Sequence, residues 1–311
     1  MLVLFSIVLP IFALIFAGWG MRRWEIAGPT ASKELNRFVV FLALPALLFR
    51  IIANAHLRDL WQPGFVAAFG IGSLVIFAFT LAWQLRRGAH LADASVDGLN
   101  SAYANTGFIG LPLCAAAFGP SSLGPATIAT ILTVCVLFAM ALALVEFAVQ
   151  PSGSITRVAG RVTLSLAKNP LLAAPVLGAV ASLCGVVLPE GVERFLKLLA
   201  DAASPCALVA LGLFIAEKRG KPDWSVLTPL VVLKLIVQPV ATWLLAAYVF
   251  HIAPPLTAIA VLLSALPTGT GAFMLAEYYG RSSDTTANNV LISTIVSMVT
   301  LSIMLTLWFA H

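Results

Sequence analysis

Charge is scarce in this sequence. Lys, Arg, Asp and Glu make up 10% of its 311 residues, where a soluble domain carries about 25%. With 60% apolar residues and a mean hydropathy of +1.01, the chain lacks the polar surface that water would require. This excludes a soluble enzyme, a disordered chain and a nucleic-acid binder, even though the net charge is +5. The four cysteines, Cys114, Cys135, Cys184 and Cys206, each lie within an apolar segment and share no metal-ligand spacing, so they read as packing residues. The four histidines are scattered near segment ends and form no His-Glu-x-x-His pair. A Walker Gly-Lys-Ser/Thr loop, an adjacent Asp–Asp pair and a potassium-channel filter are all missing. No catalytic residue, metal or cofactor is therefore expected. Residues 1–20 also lack a basic start: Arg22 and Arg23 follow the apolar run instead of preceding it. That order suits a first spanning helix that begins outside, not a cleaved leader.

Long apolar runs dominate what is present. Ten segments stand out, at 2–21, 35–54, 64–85, 95–118, 122–149, 169–187, 195–216, 225–250, 255–279 and 285–309. Most have the roughly 20 residues that a bilayer crossing needs. The longest connection, 150–168, places Arg157, Arg161 and Lys168 near one helical face. It reads as an amphipathic helix on the membrane surface, with an irregular basic loop as the alternative. If the N-terminus lies outside, thirteen Lys and Arg fall on the cytoplasmic side, four fall outside, and Lys234 falls within a span. The positive-inside rule then sets both termini outside.

The two halves carry matching marks. Pro10 answers Pro175, Pro45 answers Pro205, Asp59 and Trp61 answer Asp223 and Trp224, and Gly107 answers Gly269, all at offsets of 160 to 165 residues. Four matches in order at nearly one offset point to a duplicated five-helix unit. An odd number of spans per unit puts the two copies in opposite orientations. The expected organisation is a first repeat at 1–150, a cytoplasmic connection at 151–168 and a second, inverted repeat at 169–311.

Segments 4 and 9 each gather Gly, Pro, hydroxyl and amide residues in mid-span: Asn105-Thr106-Gly107 with Gly110 and Pro112, and Pro267-Thr268-Gly269-Thr270-Gly271. Gly costs about 1 kcal/mol and Pro about 3 kcal/mol in a helix interior, so both helices are expected to unwind there. Unwound backbone is tolerated at that depth only within protein or beside a water-filled cavity. The half-helix N-termini then offer N–H groups and partial positive charge to an anion. The candidate substrate-binding residues are Asn105, Thr106, Gly107, Pro267, Thr268, Gly269 and Thr270. Lys234, deep in segment 8, either tethers the crossover through freed carbonyls or meets substrate. Gln238 lies one turn later on the same face. Asp201 and Glu277 are candidate partners for Lys234, Glu146 is expected at the cytoplasmic interface, and Asn288 and Asn289 are candidates to face the core.

At these residues the chain resembles the auxin efflux carrier family in its bacterial branch. The carrying stretches are Leu35-Asn-Arg-Phe-Val-Val-Phe-Leu-Ala-Leu-Pro45, Asn105-Thr-Gly-Phe-Ile-Gly-Leu-Pro112 and Leu266-Pro-Thr-Gly-Thr-Gly-Ala-Phe-Met-Leu-Ala-Glu277. The last looks closest to members named malonate transporters. The resemblance implies an all-α membrane protein of ten helices in two inverted five-helix repeats, with discontinuous helices 4 and 9 crossing. This is similar to sodium/proton antiporters and bile-acid symporters. It also implies a scaffold domain and a transport domain, and Asn105 matches the position that meets the substrate carboxylate in plant carriers. Where plant carriers have Asn-Pro at their breaks, this chain has Asn105-Thr106 and Pro267-Thr268. The expected function is alternating-access carriage of a small organic anion, a dicarboxylate such as malonate or an auxin-like carboxylate. A cation-coupled carrier of the same fold and a non-transporting receptor are the alternatives. The expected partners are the substrate and the lipid bilayer, with a homodimer left open and no nucleic acid.

Overall fold

The computed structural model describes residues 9–54, 62–149, 160, 164, 168, 170–217 and 221–309. The surface helix expected within 150–168 lies largely outside them, as do the loop positions Arg58, Lys218 and Arg219, the Asp59 and Trp61 repeat marks, and His311. Twelve helices are found among the described residues: α1 Leu9–Arg23, α2 Ala31–Ala53, α3 Pro63–Arg86, α4 Leu91–Ala102, α5 Thr106–Phe118, α6 Pro120–Val149, α7 Pro170–Leu183, α8 Glu190–Ile215, α9 Trp224–Val249, α10 Pro254–Ser264, α11 Thr270–Tyr278 and α12 Ser283–Phe309. Each of the ten apolar segments carries helix. Segments 4 and 9 carry two helices apiece, α4 with α5 and α10 with α11, separated by short extended stretches. Six helices (α2, α3, α6, α8, α9 and α12) are long and apolar enough to cross a membrane.

Several helices widen to π-type turns, and three of these have one local cause. Wide turns at Val39–Ala43, Thr106–Gly110 and Leu233–Val237 each end two residues before a proline, at Pro45, Pro112 and Pro239. A proline has no N–H for the carbonyl four residues back, and its ring clashes with that carbonyl. A looser register relieves the clash without ending the helix.

The chain forms two compact units. One comprises residues 1–62, 107–128 and 167–218 and contains α1, α2, α7, α8, nearly all of α5 and the start of α6. Its helices meet backbone to backbone. A methyl group on Gly18 would fall 2.2 Å from the Val209 carbonyl oxygen, and one on Gly212 would fall 1.9 Å from that of Ile15. Only glycine allows α1 and α8 this approach. Arg50 on α2 pairs with Glu193 on α8 at 2.6 Å.

The other unit comprises residues 63–106, 129–166 and 219–311. Phe65, Phe69 and Phe77 of α3 are its largest fully buried side chains. The Phe77 ring fills the notch left by Gly98 on α4. Residues 92–102 of α4 and 257–264 of α10 are buried along their whole lengths. Two short half-helices are therefore enclosed by the longer ones, the setting in which irregular backbone at membrane depth can be stabilised.

Candidate functional site

The second unit holds the crossing of the two broken segments. Past α4, residues 103–105 run extended beside residues 267–269, and Ala104 and Thr268 form an isolated antiparallel bridge. The Asn105 N–H donates to Pro267 O at 2.9 Å, and the Gly269 N–H donates to Tyr103 O at 2.9 Å. Each break thus supplies part of the backbone hydrogen bonding that the other lost.

The last carbonyls of α4 and α10 have no partner within their own helices. Side chains from neighbouring helices close them. Lys234 Nζ donates to Ser264 O at 2.7 Å. Gln238 Nε2 donates to Ala102 O and to Ser73 Oγ, both at 3.0 Å. Lys234 lies in the wide turn of α9 and Gln238 directly follows it, so one stretch of helix finishes both half-helices. Lys234 is 0% exposed, and an amine at a helix C-terminus meets the negative end of the dipole. Among the described residues no ion pair involves it.

From α12 come Thr286, Asn289 and Ser293. Asn289 Nδ2 donates to Asn100 O at 3.0 Å and to Thr268 Oγ1 at 2.9 Å. Ser293 Oγ accepts the Thr268 N–H at 3.1 Å. Thr286 Oγ1 accepts from Asn100 Nδ2, which also donates to Asp97. Gln84 on α3 supplies the second donor to the Asp97 carboxylate. A continuous buried polar network therefore runs from Gln84 through Asp97 and Asn100 to the break.

Of the residues singled out from sequence, Asn105, Thr106, Pro267, Thr268 and Gly269 are buried at the crossing, and Thr270 is half-buried at the first position of α11. Gly107 is half-buried where the chain enters the other unit. The Thr268 hydroxyl is already engaged, donating to Asn100 O at 2.6 Å while accepting from Asn289. Lys234 and Gln238 stand on the crossover. Two expected partners of Lys234 do not pair with it. Asp201 pairs with Lys197 one turn away at 2.6 Å, and Glu277 is exposed near the end of α11, whereas Lys234 is sealed inside. Glu146, near the end of α6, is buried and accepts a hydrogen bond from the Tyr279 hydroxyl.

Sequence reasoning missed Gln84, Asp97, Asn100, Tyr103, Thr286 and Ser293. The signal was present on α12, where Thr286, Asn289, Ser293 and Ser297 recur every three or four residues and mark one polar face on an apolar helix.

The family described as Membrane transport protein matches residues 3–305. A Rhizobium meliloti protein named "Putative malonate transporter" is 30% identical over 96% of this chain and 93% of its own length. The "Uncharacterized transporter YfdV" of Escherichia coli K12 is 24% identical over 94% of each chain. Auxin efflux carrier component 5 of Arabidopsis thaliana is 22% identical over 94% of this chain and 92% of its own.

Proposed function

This chain belongs to the membrane transport protein family that includes the auxin efflux carriers, and from that premise we propose that it carries a small organic anion, a dicarboxylate such as malonate, across a bacterial inner membrane. The observation that carries the reading is the open start of α11 beside the crossing. Among the described residues the N–H groups of Thr270 and Gly271 meet no backbone acceptor, and a helix N-terminus of this kind favours negative charge. Asn105, Thr106, Gly107, Pro267, Thr268, Gly269 and Thr270 form or shape the binding region, while Lys234 and Gln238 hold its backbone. Ten spans in two inverted repeats, with both termini periplasmic, complete the proposed topology. Transport is alternating access, in which the crossover-bearing unit moves as a body. The 30% identity to a protein named for malonate supports that choice of dicarboxylate.

A thermal-shift panel of malonate, succinate, lactate and phenylacetate on the purified chain tests the reading. A bound anion at 100 times its dissociation constant adds about 2.7 kcal/mol of stability, so at least one small carboxylate is expected to raise the melting temperature. No shift with any of them at millimolar concentration overturns the anion reading.

Cation coupling is a second reading, favoured by Asp97: this buried carboxylate takes both its hydrogen bonds from neutral amides, those of Gln84 and Asn100. It predicts that uptake follows an imposed proton or sodium gradient and that Asp97→Asn uncouples the two. Gradient-independent uptake rejects it.

A further inference from the structure

Tyr103 is the first residue beyond α4, and it was not among the site residues legible in the sequence. Its backbone carbonyl pairs with the Gly269 N–H, which turns its side chain over the start of α11. A methyl group on Gly269 would lie 2.8 Å from the ring, and one on Gly271 would lie 2.6 Å from the hydroxyl oxygen. The ring therefore covers the first turn of α11, and the hydroxyl sits beside that helix's second residue. Phe138 packs against the ring at a centroid distance of 6.3 Å.

Tyr103 is only 8% exposed, yet its hydroxyl makes no hydrogen bond among the described residues; every hydrogen bond recorded for Tyr103 is made by its backbone. The first turn of α11 beneath the ring opens with the Thr270 and Gly271 N–H donors, which meet no backbone acceptor among the described residues. A phenol oxygen can accept from one such N–H while its own O–H donates to another group. The Tyr103 O–H and the opening N–H groups of α11 thus lie on one turn with hydrogen-bonding capacity to spare, and an anion with more than one oxygen is the group that could use them together.

We propose that the Tyr103 hydroxyl donates to a carboxylate seated on the N-terminus of α11, and that its ring sets the size limit of the site, admitting short aliphatic carboxylates and excluding aromatic ones. The proposal rests on the anion-carrier reading and adds a ligand residue and a selectivity rule to it. It also explains Gly269 and Gly271. A side chain at either would displace the ring, so both positions keep room for Tyr103 as well as easing the break.

The test uses the full chain purified in detergent, with malonate and phenylacetate as probes and titration calorimetry as the readout. Tyr103→Phe keeps the ring and removes the donor. Malonate affinity should fall about tenfold or more, as for loss of a hydrogen bond to a charged group, with the ligand-free melting temperature unchanged. Tyr103→Ala opens the space and should admit phenylacetate, which the unaltered protein should reject. Gly271→Ala, which pushes the hydroxyl away, should weaken malonate as Tyr103→Phe does. Wild-type malonate affinity in Tyr103→Phe overturns the proposal while leaving the anion-carrier reading in place. So does continued rejection of phenylacetate by a folded Tyr103→Ala. If the unaltered protein binds neither probe, the malonate reading and this proposal fall together.

Discussion

Lys234 meets a carbonyl where a buried lysine more often meets a carboxylate. Its Nζ closes the end of α10 through Ser264 O, so removing the amine leaves a buried carbonyl without a donor. A lost hydrogen bond of this kind costs roughly 1.5–3 kcal/mol. Lys234→Met should accordingly lower the melting temperature of the ligand-free protein and abolish transport. A variant with unchanged melting and weaker substrate affinity alone would reassign Lys234 from the crossover to the substrate. Asn105 has the opposite profile. Its backbone N–H makes the pairing to Pro267, so Asn105→Ala keeps the break. Calorimetry should show folding preserved and anion binding weakened by about ten- to a hundredfold. The amide at Asn105 was legible because Asn is costly in mid-span. The internal engagement of Thr268 was not, because its partners Asn100 and Asn289 lie 168 and 21 residues away along the chain.

Among the elements, α9 has the most to lose from a change in winding. Its wide turn at Leu233–Val237 holds Lys234 and precedes Gln238 and Pro239. Pro239→Ala restores a backbone donor and removes the ring clash that favours the loose register. Tightening the turn would rotate Lys234 relative to Gln238, and the two could no longer close both half-helices. Uptake by Pro239→Ala should therefore fall sharply while circular dichroism shows undiminished helix; wild-type uptake would show that the wide turn is dispensable. Both breaks could be read in advance, since Gly, Pro and hydroxyl residues each penalise a helix interior and cluster there. The wide turns were harder to foresee. A proline in mid-segment specifies that the regular register must yield, and packing decides whether it yields by widening, kinking or stopping.

At the scale of the molecule, the five-helix repeats proposed from sequence and the compact units divide the chain differently. The first unit combines α1 and α2 with α7 and α8, and the second combines α3 and α4 with α9 and α10. Each unit thus draws helices from both halves of the chain, although α5 falls in the first unit and α11 in the second. The interleaving itself was not legible from mid-chain composition, because no linker marks it. Two contacts inside the second unit agree with the proposed sidedness: Arg281 pairs with Asp93 at 3.5 Å, and Tyr279 bonds Glu146. All four residues fall at cytoplasmic ends in the ten-span topology. That topology predicts that Arg87→Cys is shielded from a membrane-impermeant maleimide in intact cells while His251→Cys is labelled. Labelling of both would contradict the alternation of spans between α3 and α10.

Uptake of radiolabelled malonate into proteoliposomes, measured in parallel for the unaltered chain and for Asn105→Asp, tests the central claim most directly. A carboxylate placed at the break repels an anion and adds an unpaired buried charge. The account predicts uptake above protein-free vesicles for the unaltered chain and near-complete loss for Asn105→Asp. Equal uptake by the two proteins would contradict an anion site at the crossing of the broken helices.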